Sequence, residues 1–213
     1  MTKKAITIAW LVFAASFLAS GQSDGPDSDM ERWRLTIQFG THSQIQELLG
    51  TLSDQRISEL LPEVTALFEN AENRGVLQAG LRYFTELESD AGIDRSQELL
   101  ASYRRYPTDL VGAILRYWRT IDAPLPEDTR ETVRELAADQ DGVIATAAIK
   151  LLSQSEPDGS FLVGLYQRDE TSDELRGQIL LALGEMKDPS TFDFVTDILS
   201  NTEEANTMLE RYA

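Results

Sequence analysis

The single histidine, His42, is the first candidate for a catalytic side chain in this sequence. A Ser-His-acid device would have to use it, because the chain contains no second histidine, and a Cys-His device is excluded because the chain contains no cysteine. Zinc sites built from histidine and cysteine are excluded by the same counts. His42 follows Gly40-Thr41 beside a predicted helix start, and we therefore expect a solvated turn residue.

Acidic side chains are the other candidate chemistry, because the chain carries 36 of them. A general acid needs a carboxyl group in an apolar cleft that raises its pKa. The densest set lies at polar helix positions or in turns, where we expect solvated carboxylates: Glu127, Asp128, Glu131, Glu135, Asp139 and Asp141. The motifs GxSxG, GxxxxGKS/T, GxGxxG and HExxH are also missing from the sequence. We predict no catalytic residue, no metal site and no cofactor.

Arginine and aromatic side chains, which are enriched at interface hot spots, occur together in two stretches. These stretches are SYRRYP, 102 to 107, and LYQR, 165 to 168. They predict six partner-binding residues: Tyr103, Arg104, Arg105, Tyr106, Tyr166 and Arg168. The sequence leaves an alternative open, in which the tyrosines are half-buried between helices and the arginines pair with neighbouring acids.

The charge balance narrows the class of partner. The formal net charge is −17, from 36 acidic and 19 basic side chains. Nucleic acids and anionic membrane surfaces bind through clustered lysine and arginine, so neither is an expected partner. A protein partner is compatible with this charge. With 42% hydrophobic residues, the chain can build the core of one globular domain or one repeat array.

The N-terminal segment, positions 1 to 21, has the composition of an export signal. A cationic start precedes the uncharged apolar run AITIAWLVFAASFLAS, 5 to 20, and small residues at 19 to 21 suit cleavage. We predict a signal peptide at 1 to 21, a flexible acidic spacer at 22 to 29 and a periplasmic mature chain. The alternative is an uncleaved membrane anchor, although the run is shorter than the about 20 apolar residues of a typical span.

From residue 30 onward the sequence predicts helices, because apolar residues recur at spacings of three and four. Glycine, proline and asparagine separate the periodic segments. The predicted helices are 30 to 39, 43 to 52, 57 to 70, 74 to 88, 94 to 105, 109 to 121, 127 to 138, 143 to 154, 160 to 168, 173 to 186, 190 to 200, and one from about 204.

These helices recur at a nearly constant period. AGLRYFTEL, which begins at position 79, aligns with AILRYWRTI, which begins at position 113, at an offset of 34. The next step, from Ala113 to Ala148, has an offset of 35, and the step from Leu152 to Leu183 has an offset of 31. Helices that begin near 43, 74, 109, 142, 173 and 204 therefore start repeating units, each with a following partner helix. A recurring helix pair of this length predicts an α-solenoid.

The stretch RGQILLALGEMKDPSTFDFVTDIL resembles the short HEAT repeats that are also described as phycobilisome-lyase-like, in an exported bacterial type of protein. The resemblance rests on Arg176, Ala182-Leu183-Gly184, Asp188-Pro189 and the apolar second helix. IATAAIKLLSQSEPDGSFLVGLYQ resembles a neighbouring copy, and the likeness is weaker before residue 143. The tetratricopeptide repeat has a similar length, but no copy meets its residue spacing.

The resemblance implies an all-α fold, a right-handed α-solenoid of antiparallel helix pairs over residues 30 to 213. Its second helices would line a concave surface. The last predicted helix has no partner before Ala213, which leaves open a continuation of the array. We expect a non-enzymatic exported scaffold that binds a protein through the concave helices. The alternatives are a self-assembling structural protein of the envelope and, less favoured, a lyase-like enzyme.

Overall fold

The computed structural model describes residues 26–139, 142–154, 158–186 and 188–200. Within these ranges the protein is all-α, with eleven α-helices and no strand. The helices are α1 Pro26–Phe39, α2 His42–Asp54, α3 Leu61–Asn70, α4 Arg74–Glu86, α5 Ile93–Ala101, α6 Thr108–Ile121, α7 Glu127–Ala137, α8 Gly142–Leu152, α9 Gly159–Tyr166, α10 Asp173–Met186 and α11 Pro189–Ser200. None of the described helices is long and apolar enough to cross a membrane. The predicted signal peptide and the predicted last helix lie outside the described residues.

Two predicted helices are four residues short at one end. The helix predicted from 57 begins at Leu61, after a left-handed Arg56 with φ 51°, and has a proline in its first turn at position 62. The hydroxyl of Tyr83 donates to the Ile57 carbonyl at 2.7 Å, so a distant residue satisfies this acceptor. The helix predicted to run to 105 ends at Ala101 and continues as a short 3₁₀ turn.

The predicted acidic spacer, 22 to 29, is helical from Pro26 onward. A proline at the first helical position removes an N–H group that would have no partner in any case. Inside the first turns, Asp29 Oδ1 is 2.6 Å from Arg32 Nη2, an i,i+3 pair on the helix surface. Residues 22–25 lie outside the described part of the chain.

The even-numbered helices pack in sequence, α2 on α4, α4 on α6, α6 on α8 and α8 on α10. The odd-numbered helices make a second set of neighbours, α1 with α3, α5 with α7 and α9 with α11, and the 3₁₀ turn Asp90–Gly92 contacts both α3 and α5. Each even helix packs more closely on the odd helix before it than on the one after it, which differs from the predicted pairing. In the described residues, the main contacts join α-helices at most two positions apart.

One burial pattern recurs along the even-numbered helices. In α6 it comprises Leu110, Val111, Ile114, Leu115, Tyr117 and Trp118. At an offset of 34 in either direction, the same six positions are buried in α4 and in α8. The pattern continues to α2 at an offset of 31 before α4 and to α10 at an offset of 31 after α8. In each of these two helices, four of the six corresponding positions are buried. The structural offset between α6 and α8 is therefore 34 and not the predicted 35, and it matches Ile114 with Ala148.

Candidate protein-binding surface

The 3₁₀ turn Tyr103–Arg105, which follows α5, holds the first group of predicted partner-binding residues. The Arg104 guanidinium lies 5.2 Å from the Tyr103 ring centroid, and its Nη2 is 3.4 Å from Glu135 Oε2 on α7. The Tyr103 hydroxyl donates to the same carboxylate oxygen at 3.4 Å. Hydrogen bonding to Tyr103, together with the charge of Glu135, raises the pKa of Arg104 above its ordinary value. These three side chains form an exposed polar cluster that joins the end of α5 to α7.

The next two residues of this stretch have different environments. Arg105 is exposed and makes no ion pair with any described residue. Tyr106 is half-buried and packs against the hydrophobic core. Its backbone is extended, with φ −114° and ψ 150°, as expected for the residue before Pro107. Arg105 is thus available to a partner, whereas Tyr106 anchors the turn.

Tyr166, at the end of α9, lies in the core with 5% of its surface exposed. Its ring meets Phe194 of α11 edge-on at a centroid distance of 5.4 Å, and the Arg176 guanidinium of α10 lies over it at 5.7 Å. The Arg176 side chain also donates to the Tyr166 and Arg168 carbonyls, at 3.2 and 3.0 Å. The aromatic ring of Tyr166 therefore joins three helices and offers a partner little surface.

Arg168 is exposed and borders an open cavity of about 540 Å³. The cavity lies between the ends of α7 and α9 and the starts of α8 and α10, and its lining includes Asp139, Glu170 and Glu174. Arg168 therefore faces a mostly acidic rim. No contact among the described residues joins it to the Tyr103 cluster, so the six predicted residues form two separate groups.

His42 begins α2 and is exposed. Its Nδ1 lies 3.3 Å from Asn73 Nδ2, and the Asn73 side-chain carbonyl oxygen caps α4 by accepting from the Gly75 and Val76 amides at 3.0 and 3.2 Å. The histidine thus belongs to the junction between α2 and α4. The His42 ring makes no hydrogen bond with a serine or an acid among the described residues.

The acids in and after α7 are solvated, as predicted. Exposed positions are occupied by Glu127, Asp128, Glu131, Glu135 and Asp139, while Asp141 lies outside the described residues. No group of three metal-ligating side chains is close enough to hold an ion within the described ranges.

The sequence-based search missed a buried charge cluster between α7 and α9. Asp158 is fully buried, and its Oδ1 is 2.7 Å from Arg134 Nη2. Its Oδ2 lies 3.5 Å from Arg130 Nε, beyond good hydrogen-bond geometry, and both of those atoms lack a hydrogen-bond partner among the described residues. The Arg134 guanidinium also lies 5.6 Å from the Phe161 ring centroid.

The electrostatics of this cluster favour the ionised state of Arg134. Burial opposes its charge, but the hydrogen bond and charge of Asp158, with Glu127 and Glu131, raise the pKa of Arg134 above its ordinary value. Asp158 is read from sequence only as part of a Pro-Asp-Gly turn, and its arginine partner lies 24 residues earlier. No local pattern indicates such a contact.

In comparisons with known proteins, no family model matches this chain, and no curated protein matches it either. The HEAT-repeat resemblance therefore depends on the sequence motifs quoted above. Evidence on function comes from the surfaces that the helices present.

Proposed function

We propose that this protein is a non-enzymatic scaffold that binds another protein, and that its helices form a right-handed HEAT-like α-solenoid. The observation that carries the proposal is the burial pattern shared by five successive even-numbered helices, each packed on the next. Such units hide each other's apolar faces and leave extended lateral surfaces, which repeat proteins use for binding.

Hydrogen bonds and ion pairs between successive units support this arrangement. Arg82 Nη2 is 2.5 Å from Asp54 Oδ1, 28 residues earlier, and Arg74 pairs with Asp109, 35 residues later. The Tyr117 hydroxyl donates to the carbonyl of Ser89, 28 residues earlier, at 2.8 Å. Each of these separations is close to one repeat, as nearest-neighbour stacking requires.

The surface cluster after α5 supports protein binding. Tyr103 and Arg104 are of the types enriched at binding hot spots, and the Arg104 side chain is 78% exposed beside an unpaired Arg105. The stacked and hydrogen-bonded geometry of Arg104 limits its rotamer freedom before binding, which lowers the entropy lost on association. We propose that Arg168 contributes to a separate part of the same partner surface.

An enzymatic role has less support. General acid catalysis needs a desolvated carboxyl group. The fully buried carboxylate in the described residues is Asp158, and it is already paired with two guanidinium groups. Such a group links helices, and its partners already occupy it.

Export to the periplasm is part of the proposal and is supported by sequence alone. Its basis is the apolar run and small residues of positions 1 to 21. Cell fractionation of the native host, followed by mass determination of the mature chain, tests it. A full-length cytoplasmic product would contradict it.

The binding proposal is tested by capture from envelope extract with the full chain and with an Arg104→Ala, Arg105→Ala variant, which leaves the core-packed Tyr106 in place. A captured protein is then purified, and its affinity for both forms is measured. We expect at least a tenfold weaker affinity for the variant, with an unchanged far-UV circular dichroism spectrum. Equal affinity for both forms would exclude this surface, and a failure to recover any specific protein would remove the support for a scaffold.

The solenoid is tested by removal of α10 and α11. In a nearest-neighbour array, loss of a terminal unit leaves the remaining units folded. A chain that stops after residue 172 should therefore keep the helical signal of α1 to α9 and unfold cooperatively. Loss of all helical structure would indicate a single shared core instead.

Self-association is a second candidate function, and the exposed apolar side chains favour it. Apart from Val143 on α8, the large ones lie on the first described helix and on the last two: Leu35, Phe39, Leu181, Phe192 and Leu199. Joining the two ends of successive copies would cover these side chains in a head-to-tail contact. Light scattering should then show concentration-dependent growth that a Phe39→Asp or Phe192→Asp variant removes.

A further inference from the structure

One face of α6 and α8 is basic in a strongly acidic protein. It carries Arg116 and Arg119 on α6 and Lys150 on α8, which are all exposed and make no ion pair with a described residue. Within α6 the acid Asp109 lies at the opposite end of the helix and pairs with Arg74 of α4, and the exposed C-cap residue Asp122 makes no ion pair with a described residue. The α8 helix contains no acid. These three cations are called the α6–α8 face below.

The repeat aligns the cations on neighbouring helices. Arg116 and Lys150 occupy the same position of the burial pattern, at its offset of 34, directly after the buried Leu115 and Ile149. Arg82 of α4 occupies the position one unit earlier, but it is paired with an acid. Because α6 packs directly on α8, Arg116 and Lys150 lie on adjacent helices at matching positions.

The helix surfaces beside these cations carry small side chains. They are Gly112 and Ala113 on α6 and Thr146 and Ala147 on α8, all partly exposed. A Cβ atom added at Gly112 would meet nothing within 4 Å, so open space lies above it. A polypeptide backbone can therefore approach the helices between the cations.

A stabilising effect on the helices does not explain why all three cations are present. Arg119 and Lys150 lie in the last turns of their helices, where a cation interacts favourably with the helix dipole. Arg116 lies one turn earlier, and it repels Arg119 at i,i+3. Thirty-six acids in the chain offer ample partners, yet these three cations have none among the described residues.

The chemistry of the α6–α8 face fits a short anionic segment. The even-numbered helix after this face, α10, carries the exposed acids Asp173, Glu174 and Glu185, and α2, which lies beyond α4 on the other side, carries Glu47 and Asp54. A long nucleic acid lying across the row would meet these acids and be repelled. A short acidic peptide can contact the cations alone.

The distance between α6 and α8 determines the spacing expected between the acidic residues of the bound segment. Packed helix axes lie about 8–10 Å apart. An extended segment in the polyproline II conformation advances about 3.1 Å per residue with three residues per turn, so side chains three residues apart lie on the same side, about 9 Å from each other. We propose that the α6–α8 face binds an acidic, extended segment of a partner protein, with carboxylates three residues apart on Arg116 and Lys150. This inference rests on the proposed function, because it assumes a protein partner and names its chemistry.

The test uses the full chain and a fluorescent peptide, Gly-Ser-Glu-Gly-Ser-Glu-Gly-Ser-Glu-Gly, with a Gln-for-Glu peptide as the probe control. Anisotropy at low ionic strength measures binding to the wild type and to an Arg116→Gln, Arg119→Gln, Lys150→Gln variant. A matched variant, Arg32→Gln, Arg34→Gln, Arg56→Gln, removes the same charge at exposed arginines that have no proposed binding role. Circular dichroism melting checks that both variants are folded.

We expect the α6–α8 variant to weaken peptide binding at least tenfold and the matched variant to weaken it less than threefold. A charge-reversed variant, Arg116→Glu with Lys150→Glu, should instead prefer a peptide with lysine at the acidic positions. Both results follow if direct charge pairing determines the contact.

Three outcomes would overturn the inference. They are no binding by the wild type, an equal or greater loss in the matched variant, and tighter binding of a single-stranded oligonucleotide than of the peptide. None of them decides the proposed function, because that rests on a partner captured through Arg104 and Arg105. Conversely, a chain that captures no protein but binds the peptide would contradict the proposed function alone.

Discussion

Replacement of Asp158 by asparagine tests the buried cluster between α7 and α9. The carboxylate is fully buried, while the Arg130 and Arg134 side chains are 18% and 22% exposed. Asparagine keeps the shape and one acceptor oxygen but removes the negative charge. Two guanidinium groups would then share a poorly solvated site with no buried counter-charge.

The expected loss is large because the partners are largely desolvated. Breaking one member of a buried ion pair costs about 3–5 kcal/mol. Partial exposure of both arginines and the nearby Glu127 place the expected loss of unfolding free energy near the lower limit, about 3 kcal/mol. At about 2–4 °C per kcal/mol for a chain of this size, Tm should fall by roughly 6–12 °C.

Urea unfolding followed by circular dichroism measures this difference. The matched control is Glu131→Gln, which also removes one acid near Arg134 but at a side chain that is 67% exposed. We expect the control to change the free energy of unfolding by less than about 0.5 kcal/mol. If Asp158→Asn changes it no more than the control does, the cluster contributes little net stability and the reasoning is wrong.

Other predictions concern helix packing and alkaline pH. A Gly80→Ala variant should lose about 1–3 kcal/mol of unfolding free energy, because its Cβ would lie 2.7 Å from Phe68 Cδ2. A Gly112→Ala variant should gain about 0.5–1 kcal/mol of unfolding free energy, because its Cβ would enter open space. Thermal melting of both variants measures this, and a stabilised Gly80→Ala protein would contradict it. Burial, with nearby glutamate charges, raises the pKa of Tyr83 to about 12. Because the unfolded tyrosine ionises near pH 10, the stabilisation from its neutral form is complete below pH 10 and is lost as pH rises toward 12. Urea unfolding across this range should show a smaller decline for Tyr83→Phe than for the wild type, and an identical decline would refute the assignment.

Helix positions could be predicted from sequence because their determinants are local. The start of α11 follows from Asp188-Pro189, whose Asp188 side chain accepts from the Ser190 amide at 2.9 Å. The late start of α3 was not predictable in this way. The acceptor at Ile57 is satisfied by Tyr83, a residue of the following even-numbered helix, so the local sequence alone does not determine this boundary.

The candidate surface could be predicted only in part, because residue type does not determine burial in stacked helices. Tyr103 and Tyr166 both follow an apolar helical segment and both lie near an arginine in sequence. Tyr103 stays half-exposed, whereas Tyr166 is covered by Phe194 and Arg176 from the next helices. The difference between the two tyrosines depends on residues of later helices, which a search for local motifs does not include.

The register of the repeat explains why the α6–α8 face was not found from sequence. Each residue turns an α-helix by about 100°, so an error of one residue assigns side chains to different faces. The predicted offset of 35 matches Arg116 with Leu151, a buried residue, and no cationic row results. The structural offset of 34 matches Arg116 with Lys150, an exposed cation. The pattern of buried positions therefore gives a more accurate alignment of these helices than residue identity does. Packing against the next helix constrains which positions are buried but tolerates changes of residue type at those positions.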